Sequence, residues 1–458
     1  MARTSITTLR DFPSVEELLQ KSILQKAVGA LPRQVASNLV KDVVASFKMA
    51  LKEGATDITL EKILQDIKSR LIQAKRQEIQ RVINASGIAV HTNLGRAPLS
   101  DALFEAIKKT VQGYGNIEFD IERGVRGKRG VACERYLALL AGAESATVVN
   151  NCAAALFVIL NSLANRKRVI VSRGELVQIG GGFRIPDILK RSGARLEEVG
   201  TTNVTTLADY ENAINDKTAL LLKVHKSNFV QAGFTEEVPL KKLVALGRRH
   251  GLPVVNDLGS GVFVSTKEML GYSEPTVQQS VRTGADLTCF SGDKMLGGMQ
   301  AGLIVGRAEL VARIKKNPVF RTIRVDKVVF AVLEKMLTLY LDGNHVSDIK
   351  LWSLLSVPVG ELRKRAESVL DRLGNPSGIT VCSTRAFVGG GALPESAIPS
   401  VGLVFSGKFK PGRLDKGLRA FDPPVIGRIE DDRFILDLKA VDVEDLHTLA
   451  RAIKKVIK

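Results

Sequence analysis

The chain has 458 residues, 45% of them hydrophobic, and carries 66 Lys and Arg against 48 Asp and Glu, a formal net charge of +18. That length allows about three domains, or one large domain with smaller ones attached. The basic excess favours an anionic partner (nucleic acid, a phosphorylated substrate or an anionic membrane surface) unless it serves solubility alone. The longest apolar run, "AAALFVILNSLA" at 153–164, is too short and too polar at its ends to span a bilayer, and "MARTSITTLRDF" has no apolar segment of signal-peptide type. Cys133, Cys152, Cys289 and Cys382 form no CxxC pair, and the five histidines show no HExxH. These spacings argue against a disulfide framework or a structural metal, and for a reducing cytoplasm.

Residues 1–80 read as helices. "SVEELLQKSILQKAV" and "LEKILQDIKSRLIQAKRQEIQRVI" place apolar residues at helical spacing with Lys and Arg between them, and "GATDIT" (54–59) separates two helical stretches. Composition alone leaves two readings open, a packing or dimerisation segment and a docking module for an anionic macromolecule. From residue 81 to 325 strands and helices alternate. Strands are expected at 146–151, 167–173, 196–202, 218–225, 253–259, 286–294 and 301–307, with helices such as "AAALFVILNSLANR" and "LKKLVALGRRHG" between them. This pattern predicts an α/β domain with a mostly parallel sheet covered on both faces, and a ligand at the carboxyl ends of the strands. Residues 326–458 read as a smaller α+β domain, from "VVFAVLEKMLTLYLDG" through strand-like "SVGLVFSG" and "RFILDLKAV" to a final helix.

Lys294 in "FSGDKMLGGMQAG" follows an apolar run and precedes a glycine-rich turn. Alone it reads as a surface lysine. The sharper reading is a lysine drawn into a site as a nucleophile, carrying pyridoxal 5'-phosphate as a Schiff base. That cofactor needs a carboxylate at its pyridine nitrogen, which Asp257 in "PVVNDLG" supplies. It needs a flat partner against its ring, and His225 in "KVHKSNF" fits. Its phosphate needs backbone amides at a helix N-terminus. "NNCAAA", with Asn151, Cys152 and Ala153 at a strand end opening into a helix, offers them, and Ser291 can add a hydroxyl. Each residue alone has a plainer reading, Asp257 as a loop or cap residue and the asparagines as a turn. Their order, each at a strand end of one alternating region, favours the cofactor. Arg96, Arg321 and Arg324 form a second feature. Guanidinium groups grip phosphate-like anions, and Arg321 and Arg324, three apart, share a face if helical.

"INASGIAVHTNLGRAPLS", "GNIEFDIERGVRGKRG", "VSRGELVQIGGGFRIPDI", "LLKVHKSNF", "NDLGSG", "FSGDKMLGGMQAG", "RTIRVDK" and "PPVIGRIEDDRFILDL" resemble, in order and over essentially the whole chain, the bacterial L-seryl-tRNA(Sec) selenium transferases. The resemblance implies the aspartate-aminotransferase-like fold (fold type I) of pyridoxal enzymes. It implies Lys294 as the Schiff-base lysine with Asp293 beside it in the catalytic centre, and Arg96, Arg321 and Arg324 as the holders of selenophosphate. It also implies an N-terminal domain that binds tRNA(Sec), and a cytoplasmic homodecamer without metal or membrane. The reaction implied removes the serine hydroxyl of seryl-tRNA(Sec), leaves an aminoacrylyl ester on the tRNA, and adds selenium to give selenocysteinyl-tRNA(Sec). Departures are local: Cys152 stands where a third asparagine is more common, Val204 where arginine is, and Met299 where proline is. The alternative is a β-eliminating lyase of the same fold acting on a free amino acid or amino sugar phosphate, which has no use for 80 N-terminal helical residues. A scaffold that has lost catalysis is a third, and Lys294 and Asp257 in place argue against it.

Overall fold

The computed structural model describes residues 5–179, 183–226, 229, 231–389 and 392–457. The chain forms two compact units, Met1–Arg81 and Val82–Lys458.

The first unit is built from helices α1 (Val15–Leu19), α2 (Ser22–Val28), α3 (Arg33–Lys52) and α4 (Leu60–Gln77). Ser14 opens α1 with a capping box completed by Glu17, and Thr59 caps α4 by accepting from the Lys62 amide. Ile63, Ile67 and Leu71, four apart on α4, are fully buried against Val40 and Val43 of α3 and Leu18 and Leu24 of α1 and α2. Gly54, at φ +95°, ends α3 in a conformation a side chain disfavours. The helix expected over 60–83 stops at Gln77. The reason lies six residues on: Ile83 is a buried apolar residue of the second unit, and Ile83–Asn84 pairs in parallel with Val425–Ile426.

The second unit holds a seven-stranded sheet of β1 (Ser145–Val149), β2 (Arg168–Ser172), β3 (Arg195–Val199), β4 (Thr218–Val224), β5 (Val254–Gly259), β6 (Leu287–Ser291) and β7 (Gly302–Gly306), in the order β1-β7-β6-β5-β4-β2-β3. β6 and β7 are buried at every position, the signature of strands covered on both faces. Only β7 runs against the others in this sheet. The reason is length: residues 292–301 between β6 and β7 are too few for the crossover that a parallel return needs. Helices α5 (Asp101–Gln112), α6 (Val131–Ala141), α7 (Cys152–Ala164) and α8 (Lys327–Leu341) pack in this region. Phe330, Leu333, Met336 and Leu337 of α8 share one core with Phe290 and Leu303 of the sheet.

A second core lies further along the chain. Strands β8 (Ile379–Gly389), β9 (Ala392–Phe405), β10 (Arg428–Glu430) and β11 (Arg433–Asp437) form an antiparallel sheet in the order β8-β9-β11-β10. Helices α9 (Val359–Leu373) and α10 (Leu446–Ile457) bury Leu362, Val369, Leu449 and Ile453 against Leu403, Phe405 and Leu436. No helix among the described residues is long and apolar enough to cross a membrane.

Candidate active site

The carboxyl ends of β1, β4, β5 and β6 all lie on one edge of the large sheet, because these strands run parallel. Each delivers a polar residue: Asn150 and Asn151 after β1, His225 after β4, Asp257 within β5, and Ser291, Asp293 and Lys294 at and after β6. Asp257, Ser291, Asp293 and Lys294 are buried.

Local sequence sets this geometry. Asn151 caps α7, its Oδ1 accepting from the Ala154 amide at 2.8 Å. The amides of Cys152 and Ala153 therefore head the first turn, where helix geometry gives them no intrahelical acceptor. Gly302 makes this approach possible, since a Cβ there would lie 2.1 Å from the Asn151 carbonyl oxygen. The register between β5 and β6 shifts between Asp257 and Gly259, an irregularity that re-aims side chains at a strand end. The turn after Lys294 is fastened from below. Tyr340 donates to the Leu296 carbonyl at 2.8 Å and accepts from the Trp352 indole at 2.7 Å.

Around Asp257 the neighbours are unusual. The thiols of Cys152 and Cys289 each lie 3.7 Å from its Oδ1. Cys289 is the register partner of Asp257 on β6. Burial pushes the Asp257 carboxyl above the usual range, and the nearby Lys294 charge offsets this only in part. The His225 amide donates to the Asp257 carbonyl at 2.9 Å, so the two residues are joined through backbone. The His225 Nε2 lies 3.1 Å from Glu274 Oε1, and Glu274 is buried, its other oxygen without a partner among the described residues. Sequence reading missed Glu274. It lies 49 residues from His225, in a stretch with no motif.

The arginines are not equivalent. Arg96 reaches Asp293 at 2.9 Å and Gln300 at 3.3 Å, and the Ala97 amide donates to the Asp293 carbonyl at 3.1 Å. Burial pushes the Asp293 carboxyl up, while Arg96 and then Lys294 pull it back. Arg96 sits at φ +67°, a left-handed backbone that a non-glycine residue holds at a cost of about 1 kcal/mol or more and that clusters at functional sites. Arg321 and Arg324 do not share a helix face. Arg321 is exposed on the short helix Pro318–Thr322, which ends before Arg324 because Ile323 leaves helical geometry. Arg324 is tied to Glu118 at 3.3 Å, alongside Arg129 at 2.7 Å and Arg126 at 3.0 Å. These charges, Arg129 foremost, hold the Glu118 carboxyl below its ordinary range. The Asn150 amide donates to the Ile323 carbonyl at 2.9 Å, which fixes this segment to the α7 loop.

A family model described as "SelA: L-seryl-tRNA selenium transferase" matches residues 82–442. The chain belongs to that family. Relatives named L-seryl-tRNA(Sec) selenium transferase, from Aquifex aeolicus (strain VF5) and Geotalea daltonii, are each 42% identical, over 98% of this chain and 99% of their own length. Among solved structures, D-glucosaminate-6-phosphate ammonia-lyase is similar with a TM-score of 0.61 at 20% identity, covering 82% of this chain and 96% of that one. That likeness bears on the fold, which is of fold type I.

The residues fit the pyridoxal phosphate expected of this family. Among the described residues the Asp257 carboxylate is hydrogen-bonded by two thiols, which are weak donors, and burial without a strong one is unfavourable. A protonated ring nitrogen supplies that donor. The same strand edge presents a lysine amine, an imidazole and the first amides of a helix.

Proposed function

We propose that this chain converts seryl-tRNA(Sec) to selenocysteinyl-tRNA(Sec), with pyridoxal 5'-phosphate as cofactor and selenophosphate as donor. The observation that carries the reading is the buried pair of Lys294 and Asp257 at adjacent strand ends, the Asp257 carboxylate held, among the described residues, only by two thiols, in a chain of this family. When bound, the cofactor supplies an electron sink for the charge left at the serine Cα.

The chain's own residues do the rest. The Lys294 amine would hold the cofactor and, when free, would take the Cα proton of the serine. Asp257 would pair with the ring nitrogen and keep it protonated. His225, its Nε2 fixed by Glu274, would support the ring. The Cys152 and Ala153 amides and the Ser291 hydroxyl hold the phosphate. Arg96, Arg321 and Arg324 hold the donor's phosphate, with Asp293 orienting the Arg96 guanidinium. The serine hydroxyl leaves Cβ as water, the selenium of selenophosphate joins Cβ as Cα regains its proton, and water splits the selenium–phosphorus bond to release phosphate. Residues 1–80 serve as the tRNA-binding domain, 81–325 as the catalytic domain, to whose core α8 adds its apolar face, and 326–458 as the smaller α+β domain of a cytoplasmic homodecamer.

The direct test is selenium transfer to serine-charged tRNA(Sec) by the purified protein with selenophosphate. Ammonia release from an amino sugar phosphate, with no transfer, would replace the reading by a lyase.

Two further outcomes are expected. Lys68 and Arg76 are exposed on α4. Changing both to glutamate in the full chain should weaken seryl-tRNA binding about tenfold or more at ~0.1 M salt and flatten its salt dependence, with cofactor absorbance unchanged. Filter binding against salt checks this. Glu274→Gln should loosen the His225 imidazole and weaken cofactor retention about tenfold, the worth of one charge-assisted hydrogen bond. Cofactor titration followed by visible absorbance measures it.

A further inference from the structure

We propose that Cys152, Asp257 and Cys289 form a binding site for a thiophilic divalent cation, of which Zn2+ is the type, open when the cofactor is absent. Four cysteines without a CxxC gave no sign of it. The fold supplies the cluster by bringing together residues 105 and 32 positions from Asp257.

The geometry is already close to that of a metal centre. Zinc bonds of about 2.3 Å to sulfur and 2.1 Å to oxygen, at tetrahedral angles, give a sulfur-to-oxygen edge of about 3.6 Å. Both such edges here are 3.7 Å. The three ligand atoms lie within 4.8 Å of one another, so the remaining sulfur-to-sulfur edge needs at most about 1 Å of closure to the roughly 3.8 Å of a tetrahedral pair. The ligands are rigidly mounted. Asp257 and Cys289 face each other on paired strands, and Cys152 begins a helix whose cap is bonded. Two sulfurs and one oxygen leave a fourth position for water, as in open zinc sites. On coordination both thiols give their protons to solvent. The two thiolates and carboxylate then exceed the cation by one negative charge, and the Lys294 ammonium, whose field reaches Asp257, opposes that excess.

One consequence rests on the proposed function. A carboxylate whose charge is drawn onto a cation is a poor acceptor for the ring nitrogen, so the cation and pyridoxal phosphate compete for Asp257. The site is therefore a route by which a metal blocks cofactor loading.

The test uses full-length, reduced, cofactor-free protein titrated with Cd2+, whose thiolate complexes absorb in the ultraviolet, and with Zn2+ measured after gel filtration. One cation per chain with thiolate absorbance is expected. Affinity should fall at least tenfold in Cys152→Asn, which restores the residue more common in the family, and in Cys289→Ala, while Cys133→Ala and Cys382→Ser leave it unchanged. Absence of stoichiometric binding, or binding that survives Cys152→Asn, would overturn the proposal. Saturating pyridoxal phosphate should expel the cation, and co-occupancy would overturn the placement on Asp257. Protein that binds the cation but takes up no cofactor would count against the proposed function and leave the metal site standing.

Discussion

Replacing Lys294 with alanine is expected to lower selenium transfer by on the order of 10⁴-fold or more, because one amine both anchors the cofactor and carries the Cα proton. The loss should come with little change in fold. Lys294 is buried, but the turn that carries it is held by other bonds: the Met295 amide to the Ser260 carbonyl at 3.0 Å, and the Leu296 carbonyl to Tyr340. With both proteins free of cofactor, a melting temperature within a few degrees of the parent's is therefore expected. Lys294→Arg separates chemistry from charge. It keeps a cation beside Asp257 and Asp293, yet a guanidinium forms no stable link to a carbonyl at neutral pH. If the residue only balanced the two carboxylates, arginine would retain most activity. If it is the anchor, arginine should be as inactive as alanine, borohydride should fix no cofactor to the chain, and the visible absorbance of loaded enzyme should vanish. Activity in Lys294→Arg within tenfold of the parent would end the assignment.

How far the sequence carries depends on the range of the interactions. The strand–helix alternation is written locally, in apolar runs such as "RVIVS" and "LTCFS", and it placed Asn151, His225, Asp257 and Lys294 at strand ends. The direction of β7 was also accessible in principle, since a ten-residue return excludes a crossover helix. What local pattern does not carry is pairing at a distance. The Glu274 carboxylate beside His225, the Glu118 carboxylate on Arg324 206 residues away, and the meeting of Cys152 with Asp257 and Cys289 all depend on the closed fold. The condition for Arg321 and Arg324 to share a helix face is not met for a local reason, the early end of a five-residue helix. The overlong reading of 60–83 failed because Ile83 is buried in a different unit, and periodicity does not record which core an isoleucine joins.

Asp257→Asn tests the electrostatic half of the site, with an expected loss of about 10³-fold in transfer, comparable to removing a preorganised charge from a buried centre. Its sharper consequence is in pH dependence. In the cofactor-free chain burial raises the Asp257 carboxyl above its ordinary value. Below the unfolded-state value of about 3.9 the group is protonated in both states and makes no difference between them. As pH rises from there to the raised folded value, the unfolded chain ionises first. The parent therefore loses stability across that window, and each unit of pKa difference is a tenfold bias. Asparagine cannot ionise, so the cofactor-free variant should gain on the cofactor-free parent as pH rises from about 4, and the gain should level off once the folded carboxyl has ionised. Cofactor should reverse the order. A protonated ring nitrogen pairs with the carboxylate but not with the amide, so saturation should raise the parent's melting temperature well above the variant's at neutral pH. Melting curves of parent and Asp257→Asn, with and without pyridoxal phosphate, read both effects in one experiment. A parent–variant difference independent of pH would mean that burial does not raise the Asp257 carboxyl. A rise on adding cofactor that is the same in both proteins would mean that it does not face the ring nitrogen.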